Sequence, residues 1–120
     1  MSRPARLLTL TLLALGSAGF GWLHNRLLKS EPARDATVAA PTVIRLWFAE
    51  QAEPGLSSIT VVGADSSRVA TGKVRNLKGD SLALEAEVTG AMKPGTYQVR
   101  WRTSGADGHV IRGSYPFRVQ

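Results

Sequence analysis

Residues 95–119 read GTYQVRWRTSGADGHVIRGSYPFRV, and this stretch decides the fold. Residues 95–103 alternate between apolar and polar side chains, which is the pattern of a strand with one buried and one exposed face. Residues 111–119 alternate in the same way, and residues 105–108, which contain two glycines, connect the two segments. We therefore predict two strands joined by a short turn.

Strand signals continue upstream of this pair. Residues 42–48 are rich in β-branched and aromatic side chains, residues 58–63 follow a turn at 53–55, and residues 68–73 predict a short edge strand. By contrast, residues 29–41 contain two prolines that act as breakers and are predicted to be irregular. Short strands separated by turn signals, without a convincing amphipathic helix, predict an all-β chain folded as an antiparallel β-sandwich.

One further segment, SLALEAEV at residues 81–88, alternates cleanly. The pattern predicts that its apolar residues face the core: Leu82, Leu84, Ala86 and Val88. It predicts equally that the carboxylates of Glu85 and Glu87 point into solvent.

The N-terminal residues have the composition of an export signal. Arg3 and Arg6 precede an apolar run at residues 7–15, and small residues at 16–19 then suit a signal peptidase. The competing interpretation is an uncleaved membrane anchor over residues 7–23, because this uncharged run reaches the lower length limit for a membrane span. Both interpretations place the rest of the chain in the periplasm or elsewhere outside the cytoplasm.

The sequence thus predicts two parts, a signal or anchor at residues 1–23 and one domain at residues 24–120. The chain contains no cysteine, so the fold depends on its hydrophobic core alone. Of its 15 Lys and Arg, two lie in the signal, which leaves 13 against 9 Asp and Glu and a mildly basic domain. These basic residues are scattered along the chain, which favours a solvated surface over nucleic-acid binding.

Two histidines carry the most distinctive chemistry. His109 follows Asp107 by two residues, and His24 stands at the start of the domain. Two imidazoles and a carboxylate suit a divalent copper ion, and the chain offers no cysteine and only two methionines as competing soft ligands. If the two histidines meet in the fold, the domain binds a metal.

Several segments resemble the CopC copper-resistance family. The resemblance is most specific in GTYQVRWRTS at 95–104, Asp-Gly-His at 107–109 and GSYPF at 113–117. The family's N-terminal pattern His-Ala-x-Leu-x-x-Ser-x-Pro is matched in spacing by four residues, His24, Leu27, Ser30 and Pro32. Asn25 stands where that pattern has alanine. The resemblance covers essentially all of the predicted domain.

The resemblance implies an immunoglobulin-like β-sandwich of about seven strands that binds Cu(II). Its ligands would be His24, through both the α-amine and the imidazole, together with Asp107 and His109. Glu50 falls where the family has an acidic residue beside the site, and would accept a hydrogen bond from a ligand or a bound water. The implied partners are the copper ion and a CopD-like membrane copper transporter, and we expect a monomer.

The α-amine depends on where the signal is cut. A cut after Leu23 would free it, whereas a cut after Ala18, Gly19 or Gly21, where the preceding residue is small, would leave His24 with its imidazole alone. Both forms of the site remain open from the sequence.

Two functions also remain open. One is a Cu(II)-binding protein for copper resistance or delivery, and the other is a metal-free immunoglobulin-like interaction module that has lost a usable site. An enzyme is not expected, since the sequence shows no Ser-His-Asp set, phosphate-binding loop or catalytic carboxylate pair.

Overall fold

The computed structural model describes residues 25–105 and 107–120, and these form nine strands in two sheets. The expected signal or anchor and His24 lie outside the described residues. The strands are β1 (Leu27–Glu31), β2 (Thr37–Val38), β3 (Val43–Phe48), β4 (Ser58–Gly63), β5 (Arg68–Val69), β6 (Arg75–Leu77), β7 (Asp80–Glu87), β8 (Gly95–Ser104) and β9 (Val110–Val119). A single 3₁₀ turn, Pro54–Leu56, lies between β3 and β4 in this part of the chain.

The two sheets form the expected β-sandwich. One has four strands in the order β1-β3-β7-β6, and the other has five in the order β2-β9-β8-β4-β5. The all-β prediction is confirmed, although the strand count exceeds seven and one pair, β2 with β9, is parallel. Within residues 25–105 and 107–120 there is no helix long and apolar enough to cross a bilayer.

Residues 95–119 form the longest hairpin of the described chain. Strands β8 and β9 pair through ten residues each, from Gly95 opposite Val119 to Ser104 opposite Val110. Strand β4 pairs with the other edge of β8, from Ser58 opposite Arg102 to Gly63 opposite Tyr97. The predicted pair of strands is therefore confirmed, and β8 becomes a central strand of its sheet.

The core lies between the two sheets and is built from their inward-facing side chains. The ring of Phe48 in β3 meets that of Trp101 in β8 edge to face, with centroids 5.2 Å apart, and Tyr97 stacks on Phe117 at 5.8 Å. Such aromatic pairs add about 0.5–1.5 kcal/mol each beyond the area they bury. The buried apolar cluster contains Ile44, Leu46, Phe48, Ala52, Ile59, Val61, Leu84, Ala86, Tyr97, Val99, Tyr115, Phe117 and Val119.

Three sequence predictions are wrong in detail. The region 29–41 is not irregular throughout, because Lys29 to Glu31 belong to β1 and Thr37 and Val38 form β2. Strand β1 lies at a sheet edge and pairs with β3 alone, so its sequence LLKSE need not alternate. The predicted strand at 68–73 does lie at an edge, but it ends at Val69, and Thr71 already bridges to Val88 beyond β7.

The third error concerns β7. Leu82 is exposed, whereas Glu85 is only 7% exposed despite the prediction that it points into solvent. Its carboxylate accepts hydrogen bonds from Arg45 Nε at 3.0 Å and Arg75 Nε at 2.9 Å. The two guanidinium groups come from neighbouring strands and cover the carboxylate, which the alternation within β7 does not reveal.

Candidate metal centre

Asp107 and His109 lie in the turn between β8 and β9. The turn is closed by two backbone bonds, in which Gly108 N donates to Gly105 O at 3.0 Å and Gly105 N to His109 O at 3.3 Å. Gly108 has a φ of +80°, a conformation that glycine adopts without strain. Asp107 Oδ1 accepts the backbone N–H of His109 at 3.0 Å, which fixes the carboxylate against the turn.

The turn brings the two side chains together. Asp107 Oδ2 and His109 Nδ1 are 2.7 Å apart, and the side chains remain 50% and 66% exposed. Two nitrogen or oxygen ligands about 2.0 Å from a divalent ion, at a right angle to each other, lie about 2.8 Å apart. The distance is that of a hydrogen bond, and it is also compatible with both atoms ligating one divalent ion, which would then replace the proton between them.

The N-terminal end of the described chain is clamped to the segment after β3. The side chain of Asn25 is almost fully buried, and its Nδ2 donates to Glu50 O at 3.0 Å while its Oδ1 accepts Glu50 N–H at 2.8 Å. Ala49 N donates to Arg26 O at 2.9 Å and continues the pairing of β1 with β3. The clamp thus holds Asn25, the residue that follows His24 in the sequence, beside Glu50.

Both features lie at the same end of the sandwich. Phe48, near the end of β3, contacts Trp101, near the end of β8. Nine residues after Phe48 and two after Trp101, Ser57 Oγ and Thr103 Oγ1 are hydrogen-bonded at 2.8 Å, which ties the segment after β3 to the strand that leads into the turn. The backbone therefore directs Glu50, Asn25 and the Asp107–His109 turn to the same end of the sandwich.

Of the predicted site residues, the structure brings Asp107 and His109 together. Asp107 and His109 are in contact, Glu50 is exposed and uses its backbone to hold Asn25, and His24 is not described. In the described ranges no three His, Cys, Asp or Glu side chains converge as a metal site. The sequence did not predict that Asn25 binds the backbone of Glu50, because the two residues are 25 positions apart and no local pattern links them.

Comparisons with known proteins agree with this architecture. Residues 27–120 match the model of the CopC domain. Protein YobA of Escherichia coli strain K12 is 35% identical over 100 residues, which cover 82% of this chain and 81% of that protein. Copper resistance protein C of Xanthomonas campestris pv. juglandis is 32% identical over 112 residues, covering 89% of this chain and 87% of that protein.

A solved structure agrees as well. The crystal structure of CopC from Methylosinus trichosporium OB3b superimposes with a TM-score of 0.74 at 28% identity, covering 81% of this chain and 94% of that one. The match of the domain model extends over all nine strands and includes the Asp107–His109 turn. On this sequence and structural agreement, the chain belongs to the CopC domain family.

Proposed function

We propose that this protein binds Cu(II) outside the cytoplasm and serves copper resistance or homeostasis, sequestering the ion or delivering it to a membrane partner such as a CopD-like transporter. The observation that carries the proposal is the 2.7 Å pairing of Asp107 Oδ2 with His109 Nδ1 on an exposed turn. The family membership and the relative named copper resistance protein C support copper as the metal.

In this proposal three residues ligate the ion. Asp107 and His109 provide one oxygen and one nitrogen from the turn, and His24 provides its imidazole from the clamped N-terminal end. Glu50 would accept a hydrogen bond from a ligand or a bound water. Nitrogen and oxygen ligands favour Cu(II) over Cu(I), which prefers sulfur.

An equilibrium titration of the exported protein with Cu(II) tests the proposal. One equivalent should bind and produce a d-d absorption band, and His109→Ala and Asp107→Asn should each lower the affinity by more than the roughly 10–100-fold typical of losing an outer hydrogen-bonding partner. Glu50→Gln should lower it by an amount within that range. Binding no stronger than that of an unrelated histidine-containing protein would leave a metal-free interaction module as the function.

The chain supplies a matched control for the aspartate. Asp65 Oδ1 accepts the backbone N–H of Ser67 at 3.1 Å, the same two-residue turn that Asp107 makes with His109, but no histidine stands beside it. Asp65→Asn therefore changes the charge by the same amount in a similar turn. If Asp65→Asn weakened Cu(II) binding as much as Asp107→Asn, the ligand role of Asp107 would be wrong.

Mass spectrometry of the exported protein defines the remaining ligand. An N-terminus at His24 adds its α-amine to the site, whereas an N-terminus upstream leaves the imidazole alone. An intact chain recovered from the membrane fraction would instead identify residues 7–23 as an anchor.

A further inference from the structure

The outer face of the five-stranded sheet displays five exposed arginines. Residues that are paired directly across neighbouring strands point to the same face of the sheet. Arg102 is paired with Arg112, and Thr96 with Arg118. Val62 is paired with Gln98 on one side and with Arg68 on the other. All five arginines are exposed: Arg68, Arg100, Arg102, Arg112 and Arg118. We call this surface the arginine face.

The strands of the arginine face carry no compensating charge, and the carboxylates that line a hollow with its residues, Asp35 with Arg118 and Asp65 with Arg68, belong to loops at its margin. The five strands that build it contain neither aspartate nor glutamate, and none of the five arginines forms an ion pair with a described residue. On the four-stranded sheet, by contrast, Arg45 and Arg75 are both bound to the carboxylate of Glu85. Arginines of the four-stranded sheet are therefore neutralised by a carboxylate, whereas those of the arginine face have no ion pair with a described residue.

One pair on this face is unfavourable in isolation. Arg102 and Arg112 stand directly opposite each other on neighbouring strands, and like charges in that position destabilise a sheet. Together with Arg100 they line a shallow hollow of about 400 Å³ that is also bordered by Ser58, Ser114 and Trp101. An anion seated there would relieve the repulsion, and the forked guanidinium groups suit the oxygens of a phosphate.

We propose that the arginine face docks the domain onto a membrane surface rich in anionic phospholipid. A protein partner would favour exposed aromatic or apolar residues at the centre of the contact. Here the outward-facing residues between the arginines are mostly polar, namely Ser58, Thr60, Gln98 and Ser114, while Val62 is buried and Pro116 half-buried, and such a surface suits headgroups. Each arginine near an anionic membrane strengthens the attraction, and several act together.

The arginine face lies near the proposed copper site. The Arg102–Arg112 pair lies two residue pairs from the turn that carries Asp107 and His109, at the end of the sandwich where Asn25 is held by Glu50. Docking through this face therefore holds the proposed copper site close to the membrane. The inference uses the extracytoplasmic location in the proposed function, but lipid binding itself requires no copper.

Partition of the full chain into lipid vesicles tests the inference. Vesicles of phosphatidylcholine are compared with vesicles that also contain phosphatidylglycerol. Arg3 and Arg6 of the N-terminal segment add to the preference for anionic vesicles, but equally in the parent and in every variant. The triple variant Arg100→Gln, Arg102→Gln, Arg112→Gln should lose roughly 100-fold in preference for the anionic vesicles, at about fivefold per arginine. The preference of the unaltered protein should also disappear near 1 M salt, where the Debye length is about 3 Å.

A second triple variant controls for net charge. Lys29→Gln, Lys73→Gln, Lys78→Gln removes three exposed charges outside the arginine face and should retain the preference within a few-fold. Equal loss in both variants, or none in the arginine variant, would overturn the inference. So would tighter binding to polyglutamate or to an oligonucleotide than to vesicles of equal charge concentration. Circular dichroism confirms that each variant is folded, and the Cu(II) titration should be unchanged in both, so failure here is separable from failure of the copper site.

Discussion

Removing the Asn25 side chain should loosen the N-terminal end of the sandwich. Asn25→Ala deletes the bonds at 3.0 Å and 2.8 Å to the backbone of Glu50. A typical intramolecular hydrogen bond contributes about 1 kcal/mol net, so the free energy of unfolding should fall by about 2 kcal/mol. For a domain of this size that corresponds to a decrease in Tm of roughly 8–16 °C.

Thermal denaturation followed by circular dichroism measures this change, and Arg26→Ala is its matched control. Arg26 is exposed and contributes its backbone oxygen, which the substitution retains, so Tm should stay within a few degrees of the unaltered value. Hydrogen exchange adds a local measurement, because the amide of Ala49, which donates to Arg26 O, should exchange faster in Asn25→Ala.

Asn25→Ala also tests whether His24 is a copper ligand. If His24 is a ligand, loosening its neighbour should weaken Cu(II) binding in Asn25→Ala but not in Arg26→Ala, at a temperature where both are folded. The reasoning about the clamp is refuted if Asn25→Ala matches Arg26→Ala both in Tm and in the exchange rate of Ala49.

Three further predictions concern the core, the buried carboxylate and the metal. In Gly113→Ala the new Cβ would lie 2.6 Å from Trp101 Cε2, so the indole must shift, and urea denaturation should show a loss of about 1–3 kcal/mol; a variant as stable as the parent would contradict this packing. A hydrogen bond from the Arg45 guanidinium is the largest cause that holds the pKa of the Glu85 carboxyl below its ordinary 4.5, with Arg75 acting in the same direction. Because the folded pKa is the lower one, this carboxylate stabilises the protein fully above about pH 4.5 and progressively less as the pH falls through the folded pKa. The urea midpoint of Glu85→Gln should therefore lie below that of the parent at pH 7 and approach it in acid, and a pH-independent difference would disprove the pairing. Protons compete with copper for imidazole, so Cu(II) should dissociate below about pH 5, and binding unchanged at pH 4 would exclude imidazole ligands.

Local patterns predicted the central part of the fold well. Alternation along 95–103 and 111–119 reflects one buried face per strand, and the observed hairpin has its large apolar side chains on that face. Edge strands were harder to predict: β1 pairs on one side and β2 is two residues long, so neither needs a distinctive pattern. The burial of Glu85 was not predictable from β7 because the arginines that cover it come from other strands.

The candidate site also contains one contact that the local sequence predicts and one that it does not. Asp107 and His109 are two residues apart, so the turn that joins them is local and the sequence identified the pair directly. The tether between Asn25 and Glu50 joins residues 25 positions apart and exists because β1 pairs with β3. His24 remains a predicted ligand, since its side chain lies outside the described part of the chain.

By itself, the sequence determined the β class, the Asp107–His109 pair and the resemblance to the CopC family, because strand periodicity and a two-residue turn are local properties. Tertiary structure decided which distant residues became neighbours. Along the chain Arg102 and Arg112 are ten residues apart and look scattered, yet the register of β8 against β9 sets them directly opposite each other. Register depends on pairing across the whole sheet, so the charged face it creates is visible in the folded molecule alone.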